Sequence, residues 1–440
     1  MRNPLLPLWL PEVQYGIRQI VNKGFERETL GYPVIWENIG DPVQKGMLLP
    51  EWIREIITRQ FQDNATFGYC DSKGIPHTRD FLAAKTNALG GCQITPDDIT
   101  FFNGLGDAIA RFYSILSREE RILMPSPTYP AHTGAERLRI GENPLHYTLH
   151  PDNNWLPDPD EIREMVEIHP AVSAILIINP DNPTGMVYPK SILSEIVKIA
   201  REYDLFIIAD EIYENLVYQG KMVRLAEVIE DVPAMAMKGI SKEIPWPGSR
   251  CGWIEYYNQS RDTEFENLCK RMDQCKMTEV CSTTLPQKVI PEIMSDTAYV
   301  QFLNRRNEDL AQKMNLLKSR LKYLDDVECS GGQGAFYATL HFNTDFVKED
   351  VNSESLPDLQ RSLYQKWTSG LDASPDLYLT YYLLAGAGVC TVPLSGFDGK
   401  VYGIRITLLE QNLELFDYML DQLLYGLDTV FSRKSSLIQS

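Results

Sequence analysis

The chain has 440 residues, 44% of them hydrophobic and 23% charged, which is enough apolar material for two or three domain cores. Its 42 Lys and Arg against 60 Asp and Glu give a formal net charge of −18. Phosphate-rich polymers and anionic membranes need a positive footprint, so neither is expected as a partner. No uncharged run reaches the roughly 18 residues of a membrane-spanning helix.

In chain order, the apolar stretch Met1–Val13 is broken by Pro4, Pro7 and Pro11 and lacks a basic start and a clean apolar centre. It predicts an extended arm on another surface rather than a signal peptide. From about residue 100 to 260, short apolar runs alternate with amphipathic stretches. Arg121–Met124, Ala174–Asn179, Leu205–Asp210 and Ala234–Gly239 read as strands. Between them, Lys190–Tyr203 carries Ile192, Leu193, Ile196, Val197, Ile199 and Ala200 at helical spacing. Strands separated by helices imply βαβ units and a mostly parallel sheet, with ligands at the C-terminal strand ends. After about residue 290 the pattern becomes α+β: a charged helix (Asn304–Tyr323), strand-like Gly334–Phe342 and Gly403–Leu408, and a final amphipathic helix (Leu413–Leu427). Asn343–Pro375 is polar and weakly patterned, an insertion or a long loop with a helix. The expected division is an N-terminal arm with a small-domain segment (1–45), a large domain (46–300) and a small C-terminal α+β domain (301–440).

Eight cysteines are scattered from Cys70 to Cys390 without a C-x-x-C pair. The one cluster, Cys269, Cys275 and Cys281, matches no zinc spacing and has no nearby His, so no metal is expected. Small buried thiols in a reduced, cytoplasmic setting account for them.

Three segments carry chemistry. Ser241-Lys242 follows an apolar run, a place where a lone lysine is normally a solvated residue. Asn179-Pro-Asp-Asn182-Pro-Thr-Gly185 ends one strand, and Ala209-Asp210-Glu-Ile-Tyr213 ends the next. Taken singly, these are a Pro/Gly turn and a strand-to-helix junction capped by Asp210. All three in this order, each at a strand end, is hard to obtain by chance. Upstream, Asn103-Gly104-Leu105-Gly106-Asp107 precedes the helical stretch Ala108–Leu116, where free N–H groups and the helix dipole suit an anion. Downstream, Arg405 on an alternating strand offers a planar fork suited to a carboxylate.

With Tyr15-Gly-Ile-Arg18, Asn38-Ile-Gly40-Asp-Pro42, Gly68-Tyr69-Cys-Asp-Ser-Lys-Gly74 and Pro127-Thr-Tyr129-Pro130, these segments resemble the class I, fold-type I, pyridoxal-phosphate (PLP)-dependent aminotransferases. The resemblance runs from Tyr15 to about Arg405 and is nearest to the alanine (glutamate–pyruvate) group. It implies an α/β fold: a large PLP-binding domain with a mostly parallel, seven-stranded-type sheet flanked by helices, plus a smaller α+β domain. It also implies amino acids and 2-oxo acids as substrates and a homodimer with shared active sites. Lys242 matches the family's Schiff-base lysine and proton carrier, and Asp210 the carboxylate that keeps the pyridine nitrogen protonated. Asn182 and Tyr213 match the partners of the ring's phenolic oxygen, and Tyr129 the aromatic stacked on its face. Gly104, Leu105, Gly106 and Arg250 match the phosphate cradle, with Tyr69 reaching it from the partner subunit; Ser241 is an open candidate there. Arg405 matches the residue that binds the substrate carboxylate, backed by Gly40 and Asn182. Tyr15 and Arg18 match a segment folding over the substrate pocket, where Arg18 would meet a distal carboxylate; the alternative for Arg18 is a solvated charge on a helix whose apolar face carries Ile17, Ile20 and Val21.

Three positions depart from the pattern: Pro245-Trp246-Pro247 stiffens the segment before Arg250, Gly239 stands where many class I relatives carry Ser or Thr, and Phe397-Asp398-Gly399 replaces a small-residue loop. They bear on the substrate more than on the cofactor. Two rivals share the scaffold. A C–S β-lyase or β-decarboxylase uses the same electron sink, whereas a PLP-sensing regulator needs a DNA-binding module for which a resemblance beginning at Tyr15 leaves no room.

Overall fold

The computed structural model describes residues 5–7, 9–10, 16–342 and 346–438, so Tyr15 and most of the expected arm lie outside the described residues. Strand β1 (Ile35–Trp36) precedes the eight strands of a large sheet: β2 (Ile99–Phe102), β3 (Arg121–Ser126), β4 (Leu145–His150), β5 (Leu156–Pro157), β6 (Val172–Ile178), β7 (Phe206–Asp210), β8 (Ala234–Gly239) and β9 (Gly252–Tyr257). Their spatial order is β2-β9-β8-β7-β6-β3-β4-β5. From β4 to β8 the neighbours pair in parallel. Strand β9 runs antiparallel between β8 and β2, and two-residue β5 closes the other edge. The sheet is thus seven strands with a short edge piece.

The central strands are apolar throughout because both faces are covered. Ile175, Ile177, Ile207 and Ala236 join one core, while Ala174, Leu176, Ile208 and Met237 join the other. That alternation is the two-residue period of a strand read on both sides. Leu193, Ile196, Val197 and Ala200 of helix Lys190–Glu202 seal the first face; Ala108, Ile109 and Phe112 of helix Leu105–Ile115 seal the second.

Strands β10 (Val327–Glu328), β11 (Tyr337–Phe342), β12 (Val389–Cys390), β13 (Val392–Pro393) and β14 (Gly403–Thr407) follow. Four form an antiparallel sheet in the order β10-β11-β14-β13, and β12 pairs in parallel with β1. Ile20 of helix Gly16–Thr29 joins this third core, so the chain's start and end pack together. The stretch read as a loop with a helix holds two short turns and helix Asp358–Thr368, and helix Pro375–Gly386 follows it, buried from Tyr378 to Ala385. Helix Thr297–Leu321 starts seven residues before the predicted Asn304, because Asp296 caps it by accepting from Ala298 N at 2.8 Å. Among the described residues, no helix is long and apolar enough to cross a membrane.

One β8 side chain breaks the apolar rule. Lys238 is buried with its Nζ 3.4 Å from Glu211, 3.5 Å from Glu214 and 3.3 Å from Glu255. Burial works against its ammonium, but Glu214, Glu255 and Glu211 outweigh that and hold it above the usual lysine range. Lys238→Met should therefore destabilise the fold by about 3–5 kcal/mol, since three carboxylates lose one buried counter-ion. Urea denaturation of the two proteins at neutral pH measures it, and a loss below about 1 kcal/mol would contradict a paired network.

Candidate active site

The C-terminal ends of β6, β7 and β8 meet where an open α/β sheet places its ligands. Strand β7 ends at buried Asp210, whose Oδ1 accepts from Ile212 N at 3.2 Å, folding the carboxylate over its own strand end. Its Oδ2 lies 3.5 Å from Nε2 of fully buried His132. His132 comes from helix Pro130–Ile140, and its other ring nitrogen is 3.3 Å from the Tyr113 hydroxyl. Tyr129, at the start of that helix, meets the His132 ring edge to face at 6.4 Å.

Beyond β8 the chain turns through Ser241, which is buried, to Lys242. Its Nζ donates to Gly40 O at 2.9 Å and lies 5.7 Å from the Phe336 ring centre. The backbone here is clamped from outside the sheet. Arg306 of helix Thr297–Leu321 donates to Lys242 O at 2.7 Å and to Glu243 O. The buried Glu243 carboxylate accepts from Tyr299 at 2.9 Å and from Asn215. The Pro-Trp-Pro segment closes a tight turn, Pro247–Ser249, and Arg250 follows with φ 50°, a left-handed conformation uncommon outside glycine. This aims the guanidinium at Gly104, where an added Cβ would lie 2.6 Å from Nη2. Gly104 has φ 79° and caps helix Leu105–Ile115 without a side chain, leaving the helix start open to an anion.

A third group gathers on the small sheet. Arg405 stands opposite Thr339 across β14 and β11, on the same face as Tyr337 two residues away. Its guanidinium lies 4.3 Å from the Tyr337 ring centre and 5.1 Å from that of Phe397. Nη2 donates to Asn38 O at 2.7 Å, and Nη1 to Asn182 Oδ1 at 3.5 Å. The Tyr213 and Tyr337 hydroxyls are hydrogen-bonded at 3.2 Å, and both rings pack on Phe336. A Cβ on Gly40 would collide with the Tyr337 hydroxyl, so only glycine lets that backbone through. Beside Asn182, burial pushes the Asp181 carboxyl up to about 7, while Thr184 donates to it through both backbone and side chain.

The structure therefore brings Gly40, Asn182, Tyr213, Lys242 and Arg405 into one connected region, with Asp210 and Tyr129 meeting at His132 and Gly104 facing Arg250. Tyr69 stands apart at 85% exposure, Arg18 is exposed, and Tyr15 lies outside the described residues. His132, Tyr337 and Arg306 take part without having been singled out in the sequence, each working through space from a helix or strand with no local signature, while Asn38, quoted in the Asn38-Ile-Gly40 motif, contributes its carbonyl. A cleft of about 1180 Å³ lined by Arg201, Asp231, Arg261 and Phe265 lies at the N-terminal strand ends and holds none of these residues.

The donor set suits one kind of group. An open helix start with an arginine fits a phosphate, a buried carboxylate backed by histidine fits a ring nitrogen that must stay protonated, and a lysine amine stands within the same region. The protein is thus an α/β enzyme of the fold-type I aminotransferase kind. The family model for aminotransferase class I and II matches residues 34–413, and the chain belongs to that family. It is 46% identical over 433 residues to an uncharacterized aminotransferase of Methanocaldococcus jannaschii, covering 97% of this chain and 99% of the relative. It is 30% identical over 331 residues to the glutamate-pyruvate aminotransferase AlaA of Escherichia coli, covering 74% and 80% of the two chains. Among solved structures, the alanine aminotransferase from Pyrococcus furiosus superposes with a TM-score of 0.81 at 27% identity, covering 94% of this chain and 96% of that one.

Proposed function

We propose that this aminotransferase moves an amino group between an L-amino acid and a 2-oxo acid, with alanine and glutamate as the favoured donors and PLP as cofactor. The observation that carries the reading is the Lys242 amine, held 2.9 Å from Gly40 O in a region where Tyr213 and Arg405 also meet Tyr337. Bound PLP supplies an electron sink for the bond broken at the amino acid's Cα. Lys242 is the residue that would hold the cofactor through its aldehyde group, and its free amine would be the base placed to move the proton at the amino acid's Cα. Asp210, braced by His132, keeps a proton on the ring nitrogen. Arg405 grips the substrate carboxylate while Asn38 and Asn182 fix the fork's orientation. Gly104, Leu105 and Gly106 would offer backbone N–H groups to the phosphate and Arg250 its guanidinium, with Ser241 a further candidate donor.

The same reading makes residues 46–300 the cofactor-binding domain, with 1–45 and 301–440 contributing to the smaller one. It takes the protein as a homodimer in which the exposed Tyr69 reaches the partner's phosphate. Phe67, two residues before it and 65% exposed, supports a covered face. Tyr15 and Arg18 belong to the substrate side of this proposal, and the eight free cysteines accord with a reducing, cytoplasmic setting.

A spectral survey of half-reactions tests the substrate class. Alanine and glutamate should each bleach the visible band of the PLP-loaded protein, and pyruvate or 2-oxoglutarate should restore it. No response to either amino acid overturns the alanine–glutamate assignment, and pyruvate released from cystathionine without a 2-oxo acid identifies a lyase instead. Arg250→Ala should weaken PLP binding about 10- to 100-fold, the worth of a charged hydrogen-bond donor, while the helix start retains a residual site. Equilibrium dialysis measures this directly; unchanged affinity removes Arg250 from the cradle.

A further inference from the structure

We propose that Tyr337 is a positioning residue that couples carboxylate capture at Arg405 to the proton affinity of the cofactor through Tyr213. The inference rests on the PLP reading above and extends it to a residue that reading does not use.

The geometry is that of a joint with two arms. The Tyr337 ring face supports the Arg405 guanidinium at 4.3 Å, and its hydroxyl is 3.2 Å from that of Tyr213. Both tyrosines are buried, at 3% exposure each, so neither hydroxyl exchanges its partner for bulk water at no cost. Gly40, whose carbonyl accepts from Lys242, presses against the Tyr337 hydroxyl and limits where the ring can go. A shift of Arg405 on binding a carboxylate is therefore passed to the tyrosine pair rather than absorbed by slack packing.

The chemistry follows from the direction of that hydrogen bond. The Tyr213 hydroxyl donates to that of Tyr337, so Tyr337 competes with the ring's phenolic oxygen for the Tyr213 proton, and a displaced Tyr337 hands that proton to the ring. Donation to that oxygen withdraws electron density and weakens the hold of the neighbouring imine nitrogen on its proton. Burial, with Tyr337 close by, keeps Tyr213 protonated well above the usual phenol range, so it remains a donor at any working pH. The other titratable groups acting on Tyr213 are Tyr129 and Asp210, while Arg405 faces Tyr337 from β14. Phe397 also faces Arg405 but contributes no hydroxyl, so removing the Tyr337 oxygen separates the two arms.

The test is a pH titration of the visible band in the PLP-loaded protein, read with and without a saturating carboxylic acid that lacks an amine, such as succinate. Tyr337→Phe should lower the midpoint by about half a unit to one unit, the worth of one hydrogen bond passed to the ring. It should leave the KM for the amino acid nearly unchanged, because the ring stays over Arg405. Tyr337→Leu should lower the midpoint as well and raise that KM about tenfold or more, as the cation–π contact goes. Succinate should move the midpoint in the unmodified protein and move it less in Tyr337→Phe. In a Tyr213→Phe background, Tyr337→Phe should add no further shift, since both act along one path. An unmoved midpoint in Tyr337→Phe, or strictly additive shifts in the double variant, overturns the coupling while leaving the cofactor reading intact. Absence of any visible band in the unmodified protein overturns the cofactor reading and this inference with it.

Discussion

Lys242→Ala is expected to reduce turnover by about 10⁴-fold or more, the largest effect of any single change in the chain. Two functions leave together, the covalent hold on the cofactor and the proton carrier at Cα, and the second alone is worth about 10²–10⁴-fold. The fold should survive, because what fixes this loop is not the lysine side chain. Arg306 grips the carbonyls of residues 242 and 243, and Glu243 is tied to Tyr299 and Asn215; alanine keeps all of these. Far-ultraviolet circular dichroism should therefore overlay that of the unmodified protein while activity collapses. Borohydride treatment of the loaded protein, followed by peptide mass mapping, should find the cofactor's mass on the peptide bearing Lys242. Its appearance on another lysine would falsify the assignment.

Asp210→Asn should slow the chemical step by about 10²–10⁴-fold, equivalent to roughly 3–5 kcal/mol, the loss incurred when one member of a buried charge pair is removed. The asparagine keeps the shape and can still accept from Ile212 N, so stability should change little. What it lacks is the negative charge that holds a proton on the ring nitrogen. Fully buried His132, 3.5 Å away, cannot replace that charge, since in either protonation state it is neutral or positive. Single-turnover kinetics with alanine would separate this from a binding effect, and a near-normal rate would remove Asp210 from the mechanism.

The legible parts of the fold were those in which burial follows a period. Helix Lys190–Glu202 declared itself because one face meets the sheet, and β8 was read to its exact ends because a polar turn stops it. Helix Pro375–Gly386 gave no such signal: it is buried nearly all round, so its apolar residues have no period to show. Antiparallel β9 escaped for a related reason, since Gly252-Trp-Ile-Glu-Tyr-Tyr257 hides Glu255 inside, where Lys238 and Thr86 satisfy it, and the pattern looks too polar for a core strand. At the site, motif residues at strand ends were readable because backbone geometry fixes both their spacing and their task. His132 and Tyr337 were not, because each reaches its partner across more than 70 residues of sequence, from an element whose own pattern is explained by packing alone.

The Lys238 cluster has a consequence for how this chain can change over generations. Its ionisable groups come from β8, β9 and the turn after β7, and loss of Lys238 alone leaves Glu211, Glu214 and Glu255 buried without that counter-ion. Single substitutions at Lys238 should therefore be purged, while exchanges that lose it together with its carboxylates pass. Among descendants of a common ancestor, Lys238 should change only where its carboxylates change with it. The same cluster abuts Asp210 and the loop leading to Lys242, so drift in the catalytic end of the sheet is restrained by residues that never meet a substrate.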